Sequence, residues 1–327
     1  MKLKPNLAAD GAILLTTLIW GSTFAVARGV LDSWPPLTYL ALRMPLAALV
    51  FVALFPRQVF GASRAAWRAG GALGALIGLG FIGQTVGLLY TTPAKSAFIT
   101  GITTPLVPVV AYLFWRTRPS RENLCGVVLA TAGGALILAP AGAAGFNAGD
   151  LFTLSTTLLF ACHINLMSAY ARRIDVRQLS ALQITAAAAV VFAAWLAVRA
   201  AGAVWGAGAL PPGLARETLA PVWSAGVAWQ IVYLTLVATV ATFLLWTWGQ
   251  ARMPATHAAV IFSLEPVFAT AFAVLLRGSA EWTGARATVG ALLVLAGVIV
   301  SELRWGGQGR RVGEPEGGLE EGDVVEG

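Results

Sequence analysis

Long apolar runs recur along the whole chain, each bounded by charged residues or by glycine and proline. They cover residues 9–28, 38–56, 67–90, 95–115, 122–139, 149–170, 178–200, 228–249, 254–276 and 284–303. A bilayer core about 30 Å thick takes about 20 helical residues to cross. Hydrocarbon leaves no partner for an unpaired backbone group, which favours helices over irregular chain. The pattern therefore predicts an all-α membrane protein of ten transmembrane helices, with roughly two thirds of the chain inside the bilayer. The first run starts after Lys2 and Lys4, but it is longer than the apolar region of a secretory signal and no small-residue cleavage site follows it, so it reads as a retained helix.

The runs repeat. Pro93-Ala94-Lys95-Ser96-Ala97 leads to Thr104-Pro105, and Pro254-Ala255-Thr256-His257-Ala258 leads to Glu265-Pro266 at one offset of 161 residues. Gly126 and Gly133 are echoed by Gly290 and Gly297, while Thr16-Thr17 and Trp20 align with Thr156-Thr157 and Phe160 at a different offset. Such self-similarity divides the chain into a first five-helix repeat, residues 1–140, and a second, residues 141–305. Five is odd, so the second repeat enters the bilayer from the opposite side. Two inverted five-helix repeats typify secondary transporters, which exchange inward-open and outward-open shapes around a midplane site. Glycines at four-residue spacing, Gly70, Gly74 and Gly78 and then Gly83 and Gly87, suit close helix approach, as static packing, as a sliding surface, or as both.

Composition agrees: 57% of residues are hydrophobic and only 11% charged, against about a quarter charged in soluble domains. The net charge of +7 reports topology rather than a nucleic-acid partner. With the N-terminus inside, 15 of the 22 lysines and arginines fall on the inner side, which places both termini in the cytoplasm. Cys125 and Cys162 lie within spans and read as small apolar fillers, not a disulfide. Residues 201–227 form the longest loop, either a plain surface loop or an amphipathic segment on the outer face; Trp223 and Trp229 read as interfacial anchors. Residues 306–327, rich in glycine and acids, read as a disordered acidic tail.

Trp20-Gly21-Ser22-Thr23-Phe24, Leu42-Arg43, the run Tyr90-Thr91-Thr92-Pro93-Ala94-Lys95-Ser96-Ala97-Phe98-Ile99-Thr100-Gly101 and Ser263-Leu264-Glu265-Pro266-Val267-Phe268-Ala269 together resemble the EamA-type permeases of the drug/metabolite transporter superfamily. The resemblance spans nearly the whole chain up to the acidic tail. It implies ten helices, cytoplasmic termini and solute movement through a central cavity without ATP hydrolysis. Two places depart from the pattern: Glu281 stands after Gly278-Ser279-Ala280, and Phe160-Ala161-Cys162-His163 replaces a second Trp-Gly-Ser motif.

Polar groups inside spans are costly and are therefore the functional candidates. Glu265 sits near the middle of span nine, where desolvation favours the neutral carboxyl and suits proton coupling or amine binding; the alternative is a structural role beside Pro266. His163, in span six, is a second proton-coupling candidate and also a substrate-binding one, or else a buried interface histidine. Trp20, Thr23, Gln84, Tyr90, Lys95, Thr100, Asn165, Trp246 and Gln250 are further candidates for contact with the solute. Lys95 either snorkels to the outer interface or attracts an anion at the cavity mouth. Arg43 is expected to snorkel or to pair with Asp32, and Gln183, its counterpart in the repeat, to face protein. No phosphate-binding loop, metal-ligand cluster or paired-acid run occurs, so neither an ATP motor nor a cofactor or metal is expected, and the pairing of Ser22 with His163 lacks the surroundings of a protease dyad.

The expected function is a secondary transporter that exports a small amino acid-like, nucleobase-like or amphipathic metabolite across the inner (plasma) membrane by alternating access. Proton coupling at Glu265 and uncoupled facilitation both remain open. The rival classes are an intramembrane enzyme or lipid-handling protein, which would need convergent acids or a metal set at one face, and a non-transporting assembly subunit. The expected partners are the solute and the lipid bilayer, with no nucleic acid; monomer and homodimer are both open.

Overall fold

Helix starts along the chain carry the groups that satisfy free N–H donors. Asn6, Ser63, Thr92, Asn147, Asp175 and Ser224 accept from the first turns that follow them, and Pro36, Pro56, Pro93 and Pro212 occupy first-turn positions. The computed structural model describes residues 6–138, 147–278 and 284–302; Glu281 and the 306–327 tail lie outside them. All regular structure among the described residues is helical. The helices are α1 (Leu7–Leu31), α2 (Pro36–Leu54), α3 (Pro56–Phe60), α4 (Arg64–Leu88), α5 (Pro93–Gly101), α6 (Thr103–Trp115), α7 (Arg121–Leu138), α8 (Ala148–Tyr170), α9 (Val176–Trp205), α10 (Pro212–Ala215), α11 (Ala225–Val232), α12 (Thr242–Gln250), α13 (Ala255–Phe262), α14 (Glu265–Arg277) and α15 (Ala285–Glu302). Among the described residues, eight stretches are long and apolar enough to cross a membrane, two of them the α5–α6 and α13–α14 pairs, and Thr288–Val300 is a shorter apolar helix.

Three departures from regular spans matter. The runs at 95–115 and 254–276, expected as single helices, are each interrupted near the middle, at Ile102 and at Ser263–Leu264. Pro105 and Pro266 lie just beyond the two interruptions. Each lacks the N–H that a continuous helix would donate back across the break. The third departure is the stretch Tyr233–Ala241 between α11 and α12, which is wound as a π-helix.

Helices of the first and second halves interleave. α4 lies along α8 and α9, α1 along α12, α13 and α14, α2 along α9 and the π segment, and α7 along α15. Close approach depends on the glycines. A Cβ on Gly70 would lie 2.5 Å from Cβ of Leu182, and one on Gly74 would lie 2.5 Å from the Gln183 carbonyl and 2.8 Å from the Ala187 nitrogen, both on α9. The row expected from spacing therefore contacts a single partner helix, and Gly83 and Gly87 face α8. Gly126 and Gly133 of α7 lie against Gly297 and Gly290 of α15, so the glycine pairs that echo one another in sequence also interlock in space. Leu49, Leu113, Phe114, Trp229 and Leu275 point outward, an apolar exterior suited to lipid.

Among the described residues one ion pair and one histidine–aspartate hydrogen bond join the halves. His257 Nε2 meets Asp10 Oδ1 at 3.0 Å, between the starts of α13 and α1. Lys95 Nζ meets the fully buried Asp150 Oδ2 at 2.7 Å, between the starts of α5 and α8. The offset that aligns Thr16-Thr17 with Thr156-Thr157 also aligns Asp10 with Asp150. Lys95 is thus tied to a carboxylate rather than standing at a cavity mouth. Asp32 pairs with Arg28 at 3.6 Å, not with Arg43.

The 201–227 segment is neither a plain loop nor one amphipathic helix. α9 continues to Trp205, and short helical turns at Ala207–Ala209, α10 and Arg216–Thr218 follow. Glu217 points inward and caps α2: its Oε1 accepts from the Leu37 nitrogen at 2.6 Å, and its Oε2 from the Thr38 nitrogen and hydroxyl at 3.0 and 2.8 Å. Burial is the larger influence on this carboxyl and holds it above its ordinary value. The donors of Thr38 and Leu37, and the Arg199 charge, pull it back. Arg216 donates to the Leu31 carbonyl at 2.8 Å, and Trp34 donates to the Val222 carbonyl at 2.8 Å. Trp223, although 58% exposed, packs edge-on against Trp34 with ring centroids 4.5 Å apart.

Two stability outcomes follow from these contacts, both read as unfolding midpoints of the purified protein in one detergent. Gly74→Ala forces α4 and α9 apart and is expected to cost about 1–3 kcal/mol. Glu217→Ala strands two backbone donors at the α2 terminus and is expected to cost about 2 kcal/mol, with Glu217→Gln, which keeps a carbonyl acceptor, recovering part of it.

Candidate functional site

A cavity with about 930 Å³ of open space, its mouth included, lies where the interrupted spans meet. The two breaks touch: a Cβ on Gly101 would be 3.3 Å from the Pro266 ring, and the Thr104 hydroxyl donates to the Ala259 carbonyl at 3.1 Å. Thr100, Gly101, Thr103 and Thr104 from one break and Ala259, Phe262 and Glu265 from the other form part of the wall. Glu265 is the first residue of α14, so its carboxyl stands at the positive end of a helix within the bilayer-spanning region.

The rest of the wall is largely aromatic. Trp20 stacks on Phe262 (centroids 5.5 Å, planes 20° apart) and meets Trp246 edge-on at 4.9 Å. Phe24, Tyr39, Phe81 and Phe160 extend the apolar surface. Trp20 is held by its indole N–H, which donates to the Ala238 carbonyl at 3.2 Å and to the Thr242 hydroxyl at 3.1 Å. Gln84 donates to the Thr100 hydroxyl at 3.0 Å, while the Thr103 hydroxyl, on the same wall, has no partner among the described residues.

Arg43 is buried, and this corrects the expectation that it snorkels. Its Nε donates to the Leu234 carbonyl at 3.1 Å and to the Thr239 hydroxyl at 3.0 Å, and its Nη1 donates to the Tyr39 hydroxyl at 2.9 Å. The π winding explains the first bond. With the helix widened there, the Leu234 carbonyl accepts from the Thr239 side chain at 2.8 Å and remains open to the guanidinium. The carbonyls of Leu234 and Ala238, both on the π segment, are thus served by Arg43 and Trp20, two cavity residues from the other half of the chain. A charge within an apolar run was the sequence signal for Arg43; nothing in the sequence marked the π winding that receives it.

Of the candidates, Trp20, Thr23, Gln84, Thr100, Trp246 and Glu265 line the cavity, and Tyr90, Lys95, His163, Asn165 and Gln250 lie off its wall. His163 is fully buried between α8, α9 and α12. Its Nε2 donates to Gln183 Oε1 at 3.0 Å, Gln183 donates on to Thr247 at 3.3 Å, and its ring lies 4.7 Å from that of Trp246. Asn165 ties α8 to α6 through the Val107 carbonyl at 3.0 Å. Gln250 accepts from the Trp246 indole at 2.8 Å, behind the wall. Tyr90 is partly exposed, its carbonyl accepting from Asn147 at 3.2 Å. Ser22 bonds the Tyr233 hydroxyl at 2.6 Å and does not face His163. Both cysteines are free thiols.

Comparison with known proteins places this geometry in a family. A solved crystal structure superimposes with a TM-score of 0.69 over 91% of this chain and 97% of its own, at 19% identity, which shows a shared fold. An uncharacterized transporter of Archaeoglobus fulgidus is 32% identical over 302 residues, 91% of this chain and 87% of the relative. The EamA-like transporter family matches twice, over residues 7–139 and 147–303. The chain is a multi-pass membrane protein that belongs to the EamA-like transporter family of the drug/metabolite transporter superfamily.

Proposed function

We propose that the protein is a secondary transporter that exports a small amphipathic metabolite across the inner membrane by alternating access between two inverted five-helix repeats, residues 1–140 and 141–305, with ten spans and both termini cytoplasmic. One observation carries the reading. The cavity sits where two spans are interrupted at positions 161 residues apart, Ile102 and Ser263, and discontinuous helices at a repeat interface are the geometry of transporter sites. Helix packing is compatible with the pseudo-symmetry. The contact of α4 with α8 has its counterpart in α12 with α1, and the contact of α6 with α8 in α14 with α1.

Trp20, Thr23, Gln84, Thr100 and Trp246 contact the solute. Glu265 takes a proton when the cavity faces one side and releases it when it faces the other. Its place at a helix start, on a wall open to the solute, suits that exchange better than the enclosed site of His163. Without an exchangeable carboxyl the same cavity works as a facilitator, and that difference is measurable. In proteoliposomes with internal pH followed, a panel of amphipathic metabolites is expected to include one whose flux moves protons. Glu265→Gln is expected to reduce that coupled flux at least tenfold. Equal flux in the variant makes Glu265 structural and the protein a facilitator. No flux of any solute from folded protein removes the transporter assignment for this chain.

A further inference from the structure

We propose that Arg43 is a binding residue for the solute and that the solute is an organic monoanion, a carboxylate on an apolar or aromatic body. The inference rests on the transport reading of the cavity and deepens it. Three features support it. First, the guanidinium is buried in the spanning region and lines the cavity, yet among the described residues no carboxylate forms an ion pair with it, Glu265 on the same wall included. A buried charge without a counter-charge is expensive, and a bound anion supplies one.

Second, Arg43 is held rather than mobile. Nε is fixed by the Leu234 carbonyl and Thr239 on the π segment and Nη1 by Tyr39, and the group lies 5.4 Å from the centre of the Phe81 ring and 5.9 Å from that of Tyr39. Nη2 has no protein partner among the described residues. The open edge of a fixed guanidinium takes a planar carboxylate through two N–H donors. The Tyr39 hydroxyl, already accepting from Arg43, has its own proton to give, and no acceptor for it stands among the described residues. One anion oxygen can therefore be met from both sides.

Third, the wall limits the class. Among the described residues Arg43 is its one cation, which matches a monoanion and not a phosphate dianion, and Trp20, Phe24, Phe81 and Phe262 offer apolar and aromatic surface to the rest of the molecule.

The test compares probes that differ in charge alone, 3-phenylpropionate and 3-phenylpropanamide, binding to the full chain in nanodiscs followed by calorimetry, with phenyl phosphate as the dianion. The acid is expected to bind at least tenfold tighter than the amide and than phenyl phosphate. Arg43→Gln is expected to bring acid and amide to one affinity, Arg43→Lys to keep part of the preference, and Tyr39→Phe to weaken the acid several-fold while leaving the amide unchanged. Equal binding of acid and amide by the wild type, no binding of either, or a preference for the phosphate overturns the proposal, as does an undiminished acid preference in Arg43→Gln. If Arg43→Gln does not fold, the wild-type comparison and Tyr39→Phe decide. Acid binding without solute flux in liposomes refutes the transport reading alone, and flux indifferent to solute charge refutes the present proposal alone.

Discussion

Inside hydrocarbon a backbone carbonyl that loses its helical partner has no water to turn to, and the rest of this structure is arranged around that constraint. Two spans are interrupted and a third is π-wound, so three places in the bilayer-spanning region release backbone groups. Two of the three are contacted by side chains from across the molecule. Arg43 and Trp20 reach the π segment, and Thr104 of one interrupted span reaches the Ala259 carbonyl of the other. The side chains that repair the backbone are also side chains of the cavity wall. Site and fold therefore cannot be separated: the irregularities that open space for a solute are stable because the groups lining that space hold them.

Sequence pattern located the helices well because burial in lipid demands long apolar runs. The runs at 9–28, 38–56, 67–90 and 149–170 became helices with ends within three residues of those expected. The aligned Thr104-Pro105 and Glu265-Pro266 pairs carried the signal for the interruptions, but proline within an apolar run is compatible with a continuous membrane helix too. Six of the eleven candidates face the cavity. The rest were polar for other reasons: Asn165 and Gln250 bond helix to helix, His163 belongs to a chain of side-chain hydrogen bonds, and Lys95 answers Asp150. Local pattern cannot tell a polar residue that faces a cavity from one that faces a neighbouring helix, because both stripes follow the same helical period. Glu217 was invisible for a simpler reason, since what it caps lies 180 residues earlier in the chain.

The two polar pairs between the halves show the same economy. Lys95 stands in the first turn of a helix, where the dipole disfavours a positive charge. It is offset by Asp150 in the first turn of another helix, where the dipole favours a negative one. Asp150 is further tied down by the Asn147 backbone at 2.9 Å. The Lys95–Asp150 pair therefore compensates two helix ends at once, and it and the His257–Asp10 hydrogen bond fasten one half of the chain to the other.

The cap on α2 has a consequence for how the protein is made. Leu37 and Thr38 emerge from the ribosome about 180 residues ahead of Glu217. At about 5–20 residues per second, that is a delay of roughly ten to forty seconds. Throughout that interval the hairpin of α1 and α2 sits in the membrane without its cap, and its closing contacts form only when synthesis is well into the second half. The first half is thus finished by the second, and an amino-terminal fragment released early would lack the residue that completes its own helix.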